Sequence, residues 1–371
     1  MEFALETSPH IKRRDSLWSM LADVIIALLP ATVMAFVAFP IDSLKTFLIS
    51  VPVMVACEWL FVFFTNVPRG KDGKILPFPE WVKYAWGKGS VNNILAPIVS
   101  GMIFALTLPP SASWYHVLIG AIVGIVIGKL VFGGTGNNIF NPALVGMLFS
   151  KLCFGAQWNL NQNSWMVEDV VAGGTPLGTI GGGNYGAIGQ YNLLDMFMGW
   201  IPGTLGEVSK LAIIVGLAYL LIRRAADWRV VVGYLGTFVL LMGCAGIYIT
   251  LHYEGAFTWL EFMGYEVLSG GLLFGATFMI TDPVTGPITS PSRWIYACFG
   301  GAMVVIIRLL GALPEGVGFS ILLANAIAPA LDYHKWLSKG WKLWHFIALA
   351  LIILLSLLVV MLALAFGDIL Q

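Results

Sequence analysis

An all-α fold is what this sequence predicts, a polytopic membrane bundle of ten or eleven helices, and three observations lead there. Of 371 residues, 58% are hydrophobic and only 11% charged, and mean hydropathy is +0.85. A soluble globular chain carries about a quarter charged residues, so this one could not clothe a water-facing surface. The apolar residues also come in blocks of membrane length. Finally, lysine and arginine gather in alternate connections, as they do in a chain threaded through a bilayer. Backbone groups at depth must be satisfied within helices, which makes the spans α-helical.

Spans are expected near residues 18–39, 45–65, 92–109, 116–134, 139–155, 208–222, 230–250, 265–281, 294–312, 317–331 and 343–366. Residues 1–16 form a polar leader with Lys12, Arg13 and Arg14, and the apolar run after it is too long for a cleavable signal peptide. The segments at 139–155, 208–222 and 317–331 are short, which suits tilted, re-entrant or half helices. The run from Leu343 to Phe366 is the cleanest, with no charge at all.

Orientation follows from the cations. With the N-terminus inside, the inner connections hold Lys12, Arg13 and Arg14; Arg69, Lys71, Lys74, Lys83 and Lys88; Arg223, Arg224 and Arg229; Arg293; and Lys335, Lys339 and Lys342, fifteen of the 20 basic residues. The stretch from Leu152 to Ser209 has neither lysine nor arginine. This places the 156–207 loop outside, and the C-terminus outside if there are eleven spans.

That loop is glycine-rich. Ala172-Gly173-Gly174-Thr175-Pro176-Leu177-Gly178-Thr179 leads into Gly181-Gly182-Gly183-Asn184. Glycines let a ligand approach the backbone, and successive N–H groups can cradle an anion; the same composition also serves a flexible loop of turns. Two further motifs sit where helices should end. Gly133-Gly134-Thr135-Gly136-Asn137-Asn138-Ile139-Phe140-Asn141-Pro142 joins the fourth and fifth spans, and Thr281-Asp282-Pro283 follows the eighth. They read either as matching broken helices in the two halves of a duplicated fold, where ion and cofactor sites form, or as two capped turns.

Ionisable residues inside membrane segments are costly and tend to face a cavity or a partner. Asp23 and Glu58, with no basic residue near them in sequence, are the candidates for an ion path, and Asp282 joins them because a carboxylate beside freed carbonyls suits a hard cation. Glu207 and Lys210, three apart, suggest a local helix-end ion pair. Cys57, Cys153, Cys244 and Cys298 show no metal or redox spacing, so no metal site is expected. Zero net charge points to no nucleic-acid partner. Nothing in the chain matches a phosphate-binding loop, a metalloprotease helix or a haem-attachment motif.

The motifs together resemble the RnfD/NqrB family. Those that carry the resemblance are Gly133 to Ala143; Ile201-Pro202-Gly203-Thr204-Leu205-Gly206-Glu207-Val208-Ser209; Phe278-Met279-Ile280-Thr281-Asp282-Pro283-Val284-Thr285; and Pro314-Glu315-Gly316 with Leu323-Ala324-Asn325. They run in family order over roughly residues 8 to 335. On this likeness residues 17–335 are the family-type transmembrane domain, and 336–371 add one C-terminal helix. Ser8-Pro9-His10 and the short leader look like RnfD, the large membrane component of the Rnf complex, whereas the Ile201–Ser209 stretch is closer to NqrB of the sodium-pumping NADH:quinone reductase.

The resemblance implies an electron-transfer subunit, not catalytic alone, of an ion-translocating ferredoxin:NAD+ oxidoreductase. It implies FMN held as a phosphoester on Thr175, where Thr175-Pro176-Leu177 match the family motif while Ala172 and Gly174 depart from it, with Thr179 the rival position. It implies a second flavin, riboflavin, around Asn138 and Asn141. The partners implied are the A, B, C, E and G subunits of an Rnf-type complex in a bacterial inner membrane, and a flavin transferase acting outside. The other reading of the residues is a flavin-free transporter or channel-like scaffold using Asp23, Glu58 and Asp282.

Overall fold

The structure, a computed structural model, describes residues 17–67, 77–88, 92–155, 175–180, 184–252, 257–311, 315–333 and 340–366. The leader at 1–16 and most of the glycine-rich approach to Thr175, including Gly173, Gly174 and Gly181–Gly183, lie outside the described residues. Among the described residues the only regular structure is helical.

Among the described residues six helices are long and apolar enough to cross a membrane. These are α1 (Leu17–Ala38), α2 (Pro40–Thr65), α5 (Trp114–Gly128) with a 3-10 turn (Leu130–Phe132) that extends it, α10 (Trp228–His252), α13 (Ser290–Leu310) and α15 (Leu343–Phe366). A bent pair passes the same test when its members are taken together, as a broken span or a re-entrant loop: α11 (Trp259–Leu268) and α12 (Leu272–Phe274), which runs on as a π-helical turn (Gly275–Met279), meet at 58°. Four shorter apolar helices occupy the remaining expected spans: α4 (Asn92–Thr107), α6 (Pro142–Cys153), α9 (Lys210–Arg223) and α14 (Val317–Leu331). All eleven expected segments are therefore helical. At 1.5 Å per residue the 12 residues of α6 reach about 18 Å, short of the roughly 30 Å hydrocarbon layer. The chain is a multi-pass α-helical membrane protein. Three minor helices, α3 (Phe78–Lys88), α7 (Pro176–Ile180) and α8 (Leu193–Met198), lie in the connections.

Packing divides the helices into two groups. In the first, α2 lies against α4 and α5, and α5 against α6; in the second, α10 runs along α13, which also carries α14 and α15. Helix α1 on α9 and α6 on α14 join the groups. Membrane helices associate through close packing of small residues, and the α5/α6 crossing shows it. A Cβ built on Gly146 would stand 2.5 Å from the Gly120 carbonyl oxygen, and one on Gly124 would stand 2.6 Å from the carbonyl oxygen of Pro142. The backbones touch there because neither helix has a side chain in the way. One core of buried apolar residues runs through both groups, and a second, smaller core (Leu177, Ile180, Ala187, Met196, Ile201, Tyr265) anchors α7 at one end of the bundle.

The two helix-end motifs differ from each other. Asn141 behaves as expected: its side chain accepts from the Ala143 N–H at 3.0 Å, and Pro142 opens α6. The helix before it, however, ends at Gly128, ahead of the glycine pair, and Gly133 and Gly134 instead take the left-handed turn (φ 110° and 90°) that leads out of the 3-10 turn. At the second motif Asp282 accepts from Val284 N–H at 3.1 Å, but no long helix starts at Pro283; α13 begins at Ser290. The break in the eighth span lies earlier, at Ser269-Gly270-Gly271, where Gly270 (φ 60°) supplies a conformation other residues rarely adopt.

Candidate functional site: two clefts at opposite ends of helix α9

Thr175 stands directly before α7, half-buried, and its Oγ1 accepts from the Gly178 N–H at 3.2 Å. That bond caps the first turn and fixes the hydroxyl at the edge of a small pocket. The small core beneath α7 holds the turn in place. The floor of the pocket is ionic, with Glu207, Lys210 and Glu315 lining it. Lys210, 1% exposed, donates to the Glu207 carbonyl at 2.7 Å and to the Gly270 carbonyl at 2.8 Å. The expected Glu207–Lys210 ion pair is therefore a contact to the Glu207 backbone, and the ammonium serves the carbonyl left free at the α11/α12 break. Burial, and next the neighbouring Glu315, push the Glu207 carboxyl well above the usual carboxylate range.

More charge is buried alongside. Arg308 of α13 bonds Glu266 through both its carboxylate (2.9 Å) and its carbonyl (2.7 Å), and Lys151 lies 3.6 Å from Glu315. Lys151, Lys210 and Arg308 thus meet Glu207, Glu266 and Glu315 at this end of the bundle. A second small cavity shares Glu207 and Glu315 with the pocket and continues inward to Leu144 and Met279.

The opposite end of α9 borders a larger cleft of about 100 Å³. From Lys210 to Arg223 the helix rises about 20 Å. Leu21, Val24, Val99, Ile103, Leu220 and Phe278 form apolar walls, and Lys129, Thr135, Asn138, Asn141 and Asp282 form the polar part of the lining. Asn138 donates to the Phe140 carbonyl at 3.2 Å. Asn141 is further fixed by α14: with its amide oriented to suit its neighbours, Asn325 accepts from the Asn141 N–H at 3.1 Å and donates to the Tyr296 hydroxyl at 2.7 Å. Apolar faces with a few convergent polar groups are what holds a flat, mostly apolar ligand by its polar edge. A wider, arginine-rimmed opening containing Arg224, Arg229 and Arg293 adjoins this cleft and shares Asp282 with it.

Asp23 and Glu58 each have a cation that sequence distance concealed. Arg223 Nε lies 3.1 Å from Asp23 Oδ1, which also accepts from the Tyr219 hydroxyl at 2.9 Å. Lys129 Nζ lies 3.0 Å from Glu58 Oε2, both nearly inaccessible, and Thr135 donates to the other Glu58 oxygen at 3.0 Å. Asp282 Oδ2 accepts from the Thr285 hydroxyl at 3.3 Å. Glu58, Asn138, Asn141 and Asp282 gather at the inner cleft or its wall, Asp23 is adjacent on α1, and Thr175 is at the other end. Lys129, Arg308 and Asn325 gain partners here that the sequence did not assign to them, although Lys129 and Arg308 are two of the few ionisable residues within or beside the spans.

The bundle thus carries two clefts at opposite ends of α9, with cavities and buried charge between them. The chain belongs to the NQR2, RnfD, RnfE family, whose model matches residues 4–336. Helix α15 lies beyond that match. The B component of the Na(+)-translocating NADH-quinone reductase of Pseudomonas aeruginosa is 39% identical over 245 residues, 63% of this chain and 58% of its own length; this chain thus spans under two thirds of that relative. The D component of the Na(+)-translocating ferredoxin:NAD(+) oxidoreductase complex of Acetobacterium woodii is 32% identical over 340 residues, covering 90% of this chain and 93% of its own length. The D component of the ion-translocating oxidoreductase complex of Stutzerimonas stutzeri is 33% identical over 350 residues, 86% of this chain and 90% of its own.

Proposed function

We propose that this chain is the electron-transfer D component of an Rnf-type ion-translocating ferredoxin:NAD+ oxidoreductase in a bacterial inner membrane, working with the other members of the complex. FMN would be held as a phosphoester on Thr175 at the outer end, and riboflavin in the inner cleft near Asn138 and Asn141. The carrying observation is the pair of clefts at opposite ends of α9, whose lining residues Lys210 and Leu220 stand about 15 Å apart along the helix, one cleft against Thr175 and one apolar with a polar end. When bound, the flavins supply the electron chemistry; the chain's residues bind, space and electrostatically tune them. The Rnf reading is favoured over the quinone-reductase branch because the likeness to the two D components runs nearly end to end, while the likeness to the B component takes in 58% of that relative.

The test is flavin fluorescence of the denatured polypeptide in a gel, from a host that has the flavin transferase. A fluorescent band is expected. A dark band supports the rival, a flavin-free transporter using Asp23, Glu58 and Asp282.

Orientation is tested separately. Reporters fused after Lys88 or Arg229 should read cytoplasmic and one near Gly183 external, because the Leu152–Ser209 stretch lacks cations. A cytoplasmic readout at Gly183 would remove Thr175 from the outer face.

A further inference from the structure

Among the described residues Lys129 is the one cation lining the inner cleft, and Asp282 is the other ionisable group there. Lys129 follows α5 directly and is 3% exposed. Its Nζ is 3.0 Å from Glu58 Oε2, the one carboxylate within ion-pairing distance of it among the described residues. The other Glu58 oxygen is taken by Thr135. An ammonium carries three donors, so the single Glu58 contact leaves it capacity for a further acceptor. Any acceptor that enters the cleft therefore competes with Glu58 for this lysine.

We propose that Lys129 is a charge-sharing switch. It turns its unused donors to a cleft occupant that gains negative charge, loosens its hold on Glu58, and leaves Glu58 to take up one monovalent cation. This rests on the reading that a flavin fills the cleft. An electron from a one-electron donor on a partner protein, a reduced flavin or an iron–sulfur cluster, adds one negative charge if no proton accompanies it. The Lys129 ammonium answers that charge, and one Na+ or H+ at Glu58 restores neutrality. Passing the electron on reverses each step. A single side chain thereby links redox state to cation binding within this polypeptide.

The experiment is a spectroelectrochemical titration of the acid-extractable flavin in the purified chain, at low and high Na+ with choline holding ionic strength. One cation per electron gives a rise of about 59 mV per tenfold Na+. A slope with pH that Glu58→Gln reduces by one proton per electron assigns the cation to H+ instead. Lys129→Met should retain flavin, lose the cation slope and disfavour the reduced form about tenfold, or about 59 mV; Lys129→Arg should preserve the slope. Unchanged potential and slope in a flavin-bearing Lys129→Met protein would overturn the proposal. So would a slope that survives Glu58→Gln and vanishes in Asp282→Asn. Should Lys129→Met not fold, the wild-type and Glu58→Gln slopes decide. Absence of extractable flavin from the wild type overturns the occupancy reading and not the lysine's chemistry.

Discussion

Thr175→Val should abolish the fluorescent band of the denatured chain, while Thr179→Val should leave it intact. Attachment through a phosphoester needs a hydroxyl that is reachable and held still. Thr175 meets the second condition through the Gly178 N–H bond and through α7 seated on its own small core. Pro176 biases the residue before it away from helix, which keeps Thr175 at the lip of the turn and not within it. Thr179 lies within α7, where its backbone is committed to the helix. A valine at 175 keeps the shape and removes only the oxygen. Thr175→Ser retains the hydroxyl without the methyl that steadies it, and the expected band is weaker. Should Thr175→Val keep full fluorescence, the attachment lies elsewhere, even though the family membership would stand.

Glu58→Ala should be among the most destabilising single changes in the molecule. It strands the Lys129 ammonium at 3% exposure with no counter-ion at its tip. Breaking one side of a buried pair costs about 3–5 kcal/mol. The double change Glu58→Ala with Lys129→Met should recover most of that loss, because replacing both charges by apolar groups is often neutral or better. Unfolding midpoints in detergent measure both. By contrast, Asp23→Ala leaves Arg223, half exposed, free to reach water, and its cost should stay near about 1 kcal/mol or below. Equal losses for the two variants would mean that Lys129 is solvated from the cleft once Glu58 is removed.

Much of the fold was legible because a bilayer imposes one rule on every span. Backbone polarity must be satisfied inside the helix, so apolar runs of the right length translate directly into helices, and all eleven expected runs are helical. The caps were legible for the same local reason, as Asn141-Pro142 shows. What the sequence could not display was pairing across distance. Arg223 finds Asp23 from 200 residues away, and Arg308 finds Glu266 from 42. The position of the eighth-span break was also misjudged, because Thr281-Asp282-Pro283 carries strong turn chemistry. The actual bend at Ser269–Gly271 depends on Lys210, 60 residues earlier, to satisfy the Gly270 carbonyl. Asp282 instead holds a turn through Val284 and Thr285. Asp282→Asn would serve that turn equally well, so slowed ion transport in this variant would point to the charge and unchanged transport to the turn.

Two flavins on one polypeptide, one covalent at Thr175 and one held in the inner cleft, are the core of this picture. Acid precipitation of the purified chain separates them, since only the non-covalent flavin enters the supernatant, and peptide mass spectrometry locates the other. The expected result is one riboflavin released per chain and one FMN retained on the peptide bearing Thr175. A chain that releases no flavin and retains none, after expression with the transferase, would contradict it.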